Sequence, residues 1–505
     1  MALGIEEQPG WNLIYMNIYT QSKRYFGLII TLLAPSVAGP VSAADSPGAP
    51  YLAVTQKFAD TLLDRGLDIY GPRKTAIWCG VIHVDTYLIP QKANEVPAPP
   101  GVRGSDRSVG GCNMYQDVST MRAFRTLSKV SGIPKYEKAV IDYARDYLAV
   151  AQDPVTGMLA WGEHLYYNVH EDRVGGRAFH EMLEWTPPLD LLWEANPEAT
   201  AREIAALKYH FLGEEPDASG WIFNRHSDFG KPQYQLPESS QPWIKHSSLY
   251  AYAYKFLYSR TKEKQWLDRS LGIGTLYWNH RNPATDLTVG CIGDKRPFAQ
   301  NAEMISAAHS NYWLLKASQL EPGTPMLREQ AVAMFKAYDR YAWDPKSKRY
   351  CAAVKTDGTK IKAKPADPWK FSYGGGGSLI PYGRVAAYFA RTEKDPVFRD
   401  ALIRVVTVAN NSPLPEVFTP QEIGFGIHLN LDAYELTEDK IYLQEADRLG
   451  KVALSKLWAG GLFRRTPGDS YYEAKVGPGD LVSALLRLSL RLDSKPDPAG
   501  SDWSF

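Results

Sequence analysis

The amino-acid sequence predicts an all-α protein made of helical hairpins that stack side by side. Segments with apolar residues at helical spacing recur along the chain, and within each pair a short polar connector joins the two helices. A longer loop follows each pair. A helical hairpin cannot bury its apolar face alone, so neighbouring pairs must pack against one another. Stacking of this kind gives either an open superhelix or a closed toroid of inner and outer helices.

About fourteen helices, hence about seven hairpins, are expected from this pattern. Connectors rich in Gly, Pro and charged residues end them, such as Ser131-Gly132-Ile133-Pro134 and Glu321-Pro322-Gly323. The expected helices, in chain order, are Tyr51–Arg65, Gln116–Val130, Tyr136–Ala151, Phe179–Ala195, Pro197–Phe211, Ser247–Tyr258, Trp266–Trp278, Ala302–Ala317, Met326–Tyr341, Gly383–Ala390, Pro396–Ala409, Gly424–Leu436, Lys440–Trp458 and Asp480–Leu490.

Two irregular segments interrupt the repeats. Gly71–Gly111 is rich in Gly and Pro, and an irregular segment of this length is typically a functional or wrapping loop. Tyr373–Ser378 is Gly-rich and is expected to be either a mobile rim loop or a plain linker. The loops between hairpins should gather at one end of the stack, where binding sites belong.

Composition limits the classes of function. The chain has 57 basic and 56 acidic residues and a net charge of +1. We find no basic stripe, so a nucleic acid is excluded as a partner. The 30 Tyr, 14 Trp and 17 Phe favour a carbohydrate, because Tyr and Trp stack on sugar faces while their polar ends form hydrogen bonds.

The N-terminus has the features of an export signal. Lys23-Arg24 precede the apolar run Phe26–Ala34, and Val41-Ser42-Ala43 is the expected cleavage site. The residues before Met16 fit no signal, so Met16 is the alternative start. The apolar run is too short and broken for stable membrane insertion. The protein is therefore expected in the periplasm or outside the cell.

Length alone would suggest two or more domains, but the uniform repeats favour one. We expect a signal peptide over residues 1–44, a single toroidal catalytic domain over 45–495 and a flexible tail over 496–505, acting as a monomer. Four cysteines form no C-x-x-C pair, and in an exported protein they are either up to two disulfides or buried thiols. They are Cys79, Cys112, Cys291 and Cys351.

Five of the ten histidines fall between Trp161 and His226, together with carboxylates. Imidazole and carboxylate suit a borderline divalent cation such as zinc or manganese. Our candidate ligands are His164, Glu181 and His226, because each lies near a loop on successive elements. A competing pair is His180 with Glu184, which would share one face of a helix. His210, inside a predicted helix, is expected to be structural.

A cation beside an arginine indicates a site for an anionic sugar. Acidic polysaccharides are cleaved by β-elimination, in which a base removes the C5 proton alpha to the uronate carboxylate and O4 leaves. A divalent cation on that carboxylate stabilises the developing charge. Arg225 is adjacent to His226 and is the candidate base. Arginine is normally protonated, so Lys245 is the alternative base or a carboxylate clamp.

Aromatic side chains near these residues are candidates for stacking on the sugar rings. The expected substrate-binding residues, with Lys245, are Trp161, Tyr166, Trp185 and Trp243.

The chain resembles the family 2 pectate lyases, which release disaccharides from polygalacturonate. The resemblance rests on Trp161-Gly162-x-His164, His180-Glu181, the run Leu191–Thr200 and Asn224-Arg225-His226, and it is strongest over about residues 115–230. It implies a closed (α/α)7 barrel. It also implies a manganese-like ion on His164, Glu181 and His226, with Ca²⁺, Zn²⁺ or Ni²⁺ as alternatives, and Arg225 as the Brønsted base.

The sequence departs from the family pattern directly after the His-Glu step. Where the family has basic and polar residues, this chain has Met182-Leu183-Glu184-Trp185. A lost cation and a gained anion weaken binding of a uniformly carboxylated chain. A mixed uronate polymer is therefore as admissible a substrate as homogalacturonan.

Two other functions fit the same features. A glycoside hydrolase on a helical toroid needs two carboxylates that flank the bond, and the candidates are Glu163, Glu181, Asp190 and Asp85. A non-catalytic protein that binds an acidic glycan would need only the aromatic platform.

Overall fold

The fold was taken from a computed structural model, which describes residues 46–498 except 184, 215–219, 362–365 and 370–378. The described chain is mostly α-helical, as predicted. Its helices are α1 Ala49–Arg65, α2 Met114–Ser131, α3 Lys135–Ala151, α4 Leu189–Ala195, α5 Pro197–Ala206, α6 Ile244–Thr261, α7 Lys264–Gly274, α8 Leu276–Asn279, α9 Met304–Gln319, α10 Pro325–Ala342, α11 Leu379–Glu393, α12 Pro396–Asn410, α13 Pro420–Thr437, α14 Lys440–Leu457 and α15 Pro478–Leu492.

The helices form two concentric layers. Each inner helix packs against an outer partner, giving the pairs α2–α3, α4–α5, α6–α7, α9–α10, α11–α12, α13–α14 and α15–α1. The inner layer continues from α6 through α9, α11, α13 and α15 back to α2. Arg125 of α2 bonds Glu194 of α4 at 3.0 Å, and Trp193 of α4 contacts Phe256 of α6. The ring of the described helices is therefore a closed toroid of seven hairpins.

Burial explains why these sequences take inner or outer places. In inner helix α13 the buried positions run without a break from Ile423 to Ala433. A helix that is buried on all sides needs neighbours around its whole circumference. In outer helix α14 only a stripe is buried, including Ala446, Leu449 and Ala453 at helical spacing. One face of this helix therefore meets solvent.

Short strands tie the loops together at the ends of the helices. Antiparallel pairs join β1 to β11, β5 to β6, β7 to β10 and β8 to β9, and β2, β3 and β4 form a three-stranded sheet. The strands are β1 Val81–His83, β2 Gly111–Cys112, β3 Leu165–Asn168, β4 Arg173–Gly176, β5 Phe179–Glu181, β6 His226–Asp228, β7 Asn301–Glu303, β8 Trp343–Asp344, β9 Arg349–Tyr350, β10 Ala353–Lys355 and β11 Tyr471–Glu473.

The expected helix Phe179–Ala195 is wrong in its first half. Its first residues form β5, which pairs with β6, and only α4 is helical. Two prolines, Pro187 and Pro188, separate the two elements, because a helix does not run through consecutive prolines at its centre. Most other helices differ from their expected bounds by a few residues, and the expected Pro197–Phe211 continues after α5 as a 3₁₀ turn that holds His210.

Several expectations fall on residues that are not described. The export signal and cleavage site, Glu184, Tyr373–Ser378 and the end of the tail all lie outside the described residues. In the part of the chain that is described, no helix has the length and apolar character needed to cross a membrane. The four cysteines are buried free thiols, the second of the two alternatives.

A buried carboxyl group lies inside the toroid on α2. Asp117 is 1% exposed, and its Oδ2 accepts a hydrogen bond of 2.8 Å from the Tyr143 hydroxyl. Its Oδ1 has no partner among the described residues. Burial raises the pKa of Asp117 to about 8, since transfer from water disfavours the charged form.

The raised pKa predicts a pH-dependent stability. The folded state binds the Asp117 proton more tightly than the unfolded state, so this contribution is present at low pH and is lost as pH rises towards about 8. Asp117→Asn should remove this loss of stability at higher pH, because asparagine does not titrate. Between pH 5 and 8, urea unfolding should show the variant gaining at least about 2 kcal/mol relative to wild type. Asp268→Asn, at an exposed site on α7, is the control, and parallel pH profiles for wild type and Asp117→Asn would contradict the assignment.

Candidate active site

The site begins with the pairing of β5 and β6, which joins two loops at one end of the toroid. The register places Glu181 directly opposite His226. Side chains that face each other in an antiparallel pair have Cβ atoms about 5 Å apart. The pairing therefore brings together a carboxylate and an imidazole that are distant in sequence.

His164 reaches the same place from the loop before β3. Gly162 in this loop has a φ of 92°, and a Cβ there would lie 2.5 Å from the carbonyl oxygen of Glu181. Only glycine combines this φ with so close an approach. The glycine of Trp161-Gly162-Glu163-His164 thus lets the loop lie against β5.

The three side chains converge through one carboxylate oxygen. Oε2 of Glu181 lies 3.4 Å from Nε2 of His164 and 3.3 Å from Nε2 of His226. The potential ligand atoms of the three residues all lie within 4.8 Å of one another. The structure therefore brings together the three residues selected from the sequence.

This cluster fits a divalent cation. Oε2 of Glu181 and Nε2 of His226 are buried and have no hydrogen-bond partner in the described residues, and buried polar atoms normally have one. Two imidazoles and a carboxylate are the donor set of first-row divalent ions. Ligand atoms bonded at about 2.1 Å to one ion are roughly 3 to 3.4 Å apart in octahedral or tetrahedral geometry, close to the spacing around Glu181.

Further groups hold the three side chains from behind. Nε2 of His246, in the first turn of α6, lies 3.3 Å from Oε1 of Glu181. Oδ1 of the buried Asp106 lies 3.7 Å from Nδ1 of His164. Groups placed in this way orient metal ligands and fix the tautomer of a ligating histidine. Neither His246 nor Asp106 was predicted from the sequence to belong to the site.

The surroundings set the protonation states that metal binding needs. Burial alone would raise the pKa of Glu181, but the adjacent imidazoles of His226 and His246 hold it well below its ordinary value. Burial lowers the pKa of His164, and it lowers the pKa of His246 to about 4. Near pH 7 the Glu181 carboxylate is therefore ionised and the imidazoles of His164 and His246 are neutral. Ionised carboxylates and neutral imidazoles are the forms that bind a metal ion.

A buried chain of hydrogen bonds runs beneath the cluster. His180 Nδ1 lies 2.7 Å from His210 Nε2, and His180 Nε2 lies 3.2 Å from Glu203 Oε1. His210 Nδ1 lies 3.0 Å from the carbonyl oxygen of Asn224. His180 therefore has a structural role and does not act as a metal ligand with Glu184, the competing pair predicted from the sequence. His210 is structural, as expected.

The Asn224 carbonyl at the end of this chain determines which atom donates in each hydrogen bond. The Asn224 carbonyl only accepts, so His210 carries a proton on Nδ1. Burial, and after it the neighbouring His180, hold the pKa of His210 well below its ordinary value. Nε2 of His210 therefore accepts, and Nδ1 of His180 donates. The chain ties β5 to the backbone that directly precedes Arg225.

Two cations stand beside the cluster. Nη1 of Arg225 lies 3.8 Å from Oε1 of Glu181, and the side chain is 30% exposed. Nε of Arg225 is buried without a partner among the described residues. Lys245 is half-buried, and both side chains line a cavity of about 750 Å³ at the centre of the toroid.

The predicted aromatic residues divide into two groups. Trp185 and Trp243 line the cavity. Trp161 is 0% exposed and packs edge-on against Tyr115, so its assignment to substrate binding is wrong. Tyr166 lies on β3, half-buried, and is not among the residues that line the cavity.

Other lining residues had no role assigned from the sequence. Phe298 is 46% exposed, and its ring stacks on Trp243 with centroids 5.9 Å apart. Trp369 and Phe425 line another part of the cavity. These residues come from distant hairpins, and no local spacing connects them to the His-Glu segment.

The structure thus combines a helical toroid with a cavity lined by aromatic and charged side chains and by the three-residue ligand cluster. Residues 103–312 match the family described as periplasmic pectate lyase. The match confirms the resemblance seen in the sequence. It covers less than half of the chain, and it contains the cluster together with Arg225 and Lys245.

Solved structures with a similar course of the chain have low sequence identity. Cellobiose 2-epimerase from Bacillus thermoamylovorans has 10% identity and a TM-score of 0.49 over 88% of this chain and 99% of its own. A D-mannose isomerase has 10% identity and a TM-score of 0.49 over 89% and 99%. A family 76 α-mannanase from Bacteroides thetaiotaomicron has 9% identity and a TM-score of 0.45 over 88% and 95%. Identities this low say nothing about shared chemistry.

Removal of the central carboxylate should weaken metal binding. Glu181→Gln loses the charge that faces both imidazoles, so we expect Mn²⁺ affinity to fall at least about tenfold while the helical circular dichroism is retained. Calorimetric titration of the chelator-stripped protein measures the affinity. Glu171→Gln, on the exposed turn before β4, is the matched control. Equal Mn²⁺ affinity in Glu181→Gln and wild type would reject the cluster as the metal site.

Loss of the buried histidine chain should destabilise the fold. His210→Leu leaves His180 Nδ1 buried without a partner and removes the bond to the half-buried Asn224 carbonyl. A buried unsatisfied group costs about 1–3 kcal/mol. We expect the free energy of unfolding in urea to fall by at least about 2 kcal/mol. His280→Leu, at an exposed position, should change it little. Equal losses in the two variants would contradict the assigned chain.

Proposed function

We propose that the protein is a polysaccharide lyase that cleaves a pectate-like, uronic-acid-containing glycan by metal-assisted β-elimination. The single observation that supports this most is the cluster of His164, Glu181 and His226 with Arg225 and Lys245 beside it in one cavity. Metal ligands and two cations around one space suit a substrate that carries a carboxylate. The whole group lies within the segment that matches the pectate lyase family.

The ligand cluster would hold a manganese-like ion, with Ca²⁺, Zn²⁺ and Ni²⁺ as the alternatives. Such an ion supplies Lewis-acid stabilisation of the charge that develops on the uronate carboxylate. His246 and Asp106 keep Glu181 and His164 in position for it. Burial of the cluster strengthens its electrostatic interactions, since the local dielectric is lower than that of water.

Arg225 takes the C5 proton in this mechanism. The C5–H bond breaks, its electron pair forms the C4–C5 double bond, and the C4–O4 bond breaks. O4 leaves with its electron pair and takes up a proton from water. One product fragment therefore carries the unsaturated uronate at its new non-reducing end, and the other carries O4 as the hydroxyl of a new reducing end. Lys245 clamps the carboxylate, and it is the second candidate for the base. The buried chain through His210 positions the backbone before Arg225.

Aromatic side chains orient the sugar rings. Trp185 and Trp243 line the same cavity as the two cations. Indole rings pack against the apolar faces of sugars while their N–H groups donate hydrogen bonds. We infer a single catalytic domain over residues 45–495 that acts as a monomer in the periplasm, the compartment in the family's description.

The activity is tested with a panel of uronic acid polymers. The purified protein should release a product that absorbs in the ultraviolet, because elimination creates a double bond conjugated with the carboxylate. Absorbance should disappear with chelator and return with Mn²⁺. New reducing ends without absorbance would indicate a glycoside hydrolase instead. Binding with neither product would indicate a non-catalytic acidic-glycan-binding protein.

The base is tested by Arg225→Lys. If Arg225 accepts the proton, kcat should fall at least about 100-fold while KM changes little. Arg202→Lys, at an exposed site on α5, should keep wild-type kinetics. Near-normal turnover in Arg225→Lys would move the role to Lys245, and Lys245→Met would then abolish turnover.

A further inference from the structure

A sharply bent segment, residues 176–179, leads from β4 to β5 beside the ligand cluster. The N–H of Arg177 in this bend donates a 2.8 Å hydrogen bond to the carbonyl oxygen of His164. Gly176 has a φ of 104°, and a Cβ there would collide with the same carbonyl oxygen. The bend therefore wraps closely around one of the three candidate ligands.

The backbone of this bend is held in an unfavourable conformation. Ala178 has a φ of 59°, in the left-handed region where a Cβ comes too close to the backbone. Its carbonyl oxygen accepts a 2.9 Å hydrogen bond from the N–H of Phe229, the residue after β6. Backbone strain of this kind occurs preferentially at sites that bind ligands. The hydrogen bond holds the two residues that flank Ala178, Arg177 and Phe179, beside the cluster.

Phe179 places an exposed aromatic ring against the metal ligands. The ring stacks on the imidazole of His226, with centroids 5.4 Å apart and planes inclined by 14°, and it meets the imidazole of His164 edge-on at 6.5 Å. Phe179 is nevertheless 37% exposed. Phe179 and Glu181 are two residues apart on β5 and therefore share a face of the strand. A ring that is fixed on one side and open to solvent on another can receive the apolar face of a sugar.

Arg177 adds an exposed cation beside the same ligands. Burial is the main cause that lowers the pKa of His164, and the positive charge of Arg177 is among the further causes, so the guanidinium lies close to this imidazole. Lys231 is a second exposed cation, and its Nζ lies 2.8 Å from Oδ2 of Asp228. Asp228 is the residue opposite Phe179 in the strand pairing. The carboxylate that faces the ring is thus compensated by a cation.

These side chains lie beside the cluster but outside the central cavity. Arg177, Phe179 and Lys231 are not among the described residues that line the cavity, whereas Arg225 and Lys245 are. The ligand cluster therefore adjoins both the cavity and this exposed surface. A glycan whose reacting unit lies at the cluster can place a neighbouring unit on the surface.

We propose that Arg177 and Phe179 form an outer sugar-binding position, in which the uronate unit next to the reacting one stacks on the ring and places its carboxylate at the guanidinium. This proposal rests on the proposed lyase function and narrows its substrate class. The outer position recognises a sugar ring and a negative charge together, so the substrate contains at least two consecutive uronates. It supplies no catalytic group and acts through binding affinity.

Kinetics of the Mn²⁺-loaded protein on a galacturonate hexasaccharide test the cation. Arg177→Gln removes the charge, and we expect KM to rise at least about threefold with little change in kcat, because an exposed ion pair contributes modestly to binding. Arg173→Gln, an exposed arginine on β4, is the matched control and should keep the wild-type KM. Equal KM values for Arg177→Gln and this control overturn the proposal.

Phe179→Leu tests the stacking on the same hexasaccharide. Leucine keeps an apolar contact with His226 but offers no flat ring to a sugar, so KM should rise at least about threefold. Together with Arg177→Gln, the rise should reach at least about tenfold. Val155→Ala, at an exposed apolar residue distant from the cluster in sequence, should leave KM unchanged. A double variant with the wild-type KM overturns the proposal.

Metal affinity distinguishes sugar binding from a purely structural role of the bend. The guanidinium of Arg177 repels a cation at the cluster, so Arg177→Gln should leave Mn²⁺ affinity unchanged or raise it. Oligosaccharide binding should weaken in the same variant. Calorimetric titration of the chelator-stripped protein measures the Mn²⁺ affinity. A parallel loss of both affinities would mean that the bend only holds the ligands in place, and it would overturn the outer position.

Failure of the lyase function is recognised separately. If the hexasaccharide yields no unsaturated product, that function fails, and calorimetry with the same Mn²⁺-loaded protein then measures binding of the hexasaccharide without turnover. Weaker binding by the double variant than by wild type would still support the outer position. Equal binding by the two proteins, or no binding by wild type, overturns it.

Discussion

The pairing of β5 with β6 is the constraint on which the site depends. A toroid of helical hairpins fixes where its loops emerge, but a ligand cluster needs its atoms held far more closely than loop positions alone allow. The antiparallel register sets Glu181 opposite His226. On the same strands, His180 is tied through His210 to the carbonyl of Asn224. One short pairing thus positions ligands and candidate base together.

The composition of the cluster bears on the proposed binding of an anionic sugar. A divalent ion held by one carboxylate and two imidazoles would keep a net positive charge, whereas a cluster of several carboxylates would cancel it. Arg225 and Lys245 add to that charge from one side of the cavity. Among the described residues that line the cavity, Arg103, Lys475 and Arg296 are instead paired with Asp106, Glu163 and Asp294. In the proposed function, the reacting sugar unit lies beside these two cations.

Features that depend on local sequence were predictable. Hairpin repeats and the number of pairs follow from helical spacing, which each segment carries by itself. The ligands were selected by chemistry and by the family resemblance. The three-residue strand β5 was missed because so short an element has no periodicity. Trp161 was misassigned because its burial results from tertiary packing against Tyr115, a residue distant in the sequence. His246 faces Glu181 only through the packing of α6.

The carboxylates of the cavity also bear on the choice between elimination and hydrolysis. A hydrolase needs one carboxyl group that holds a proton for the leaving oxygen. Glu181 is the opposite case, because the imidazoles around it keep its pKa well below the ordinary value. Glu163 is bound by Lys475 and Arg103. Asp85 and Asp190 are exposed and do not line the cavity. None of the four carboxylates considered for hydrolysis therefore has the surroundings of a proton donor, whereas elimination requires only the cluster and a neighbouring base.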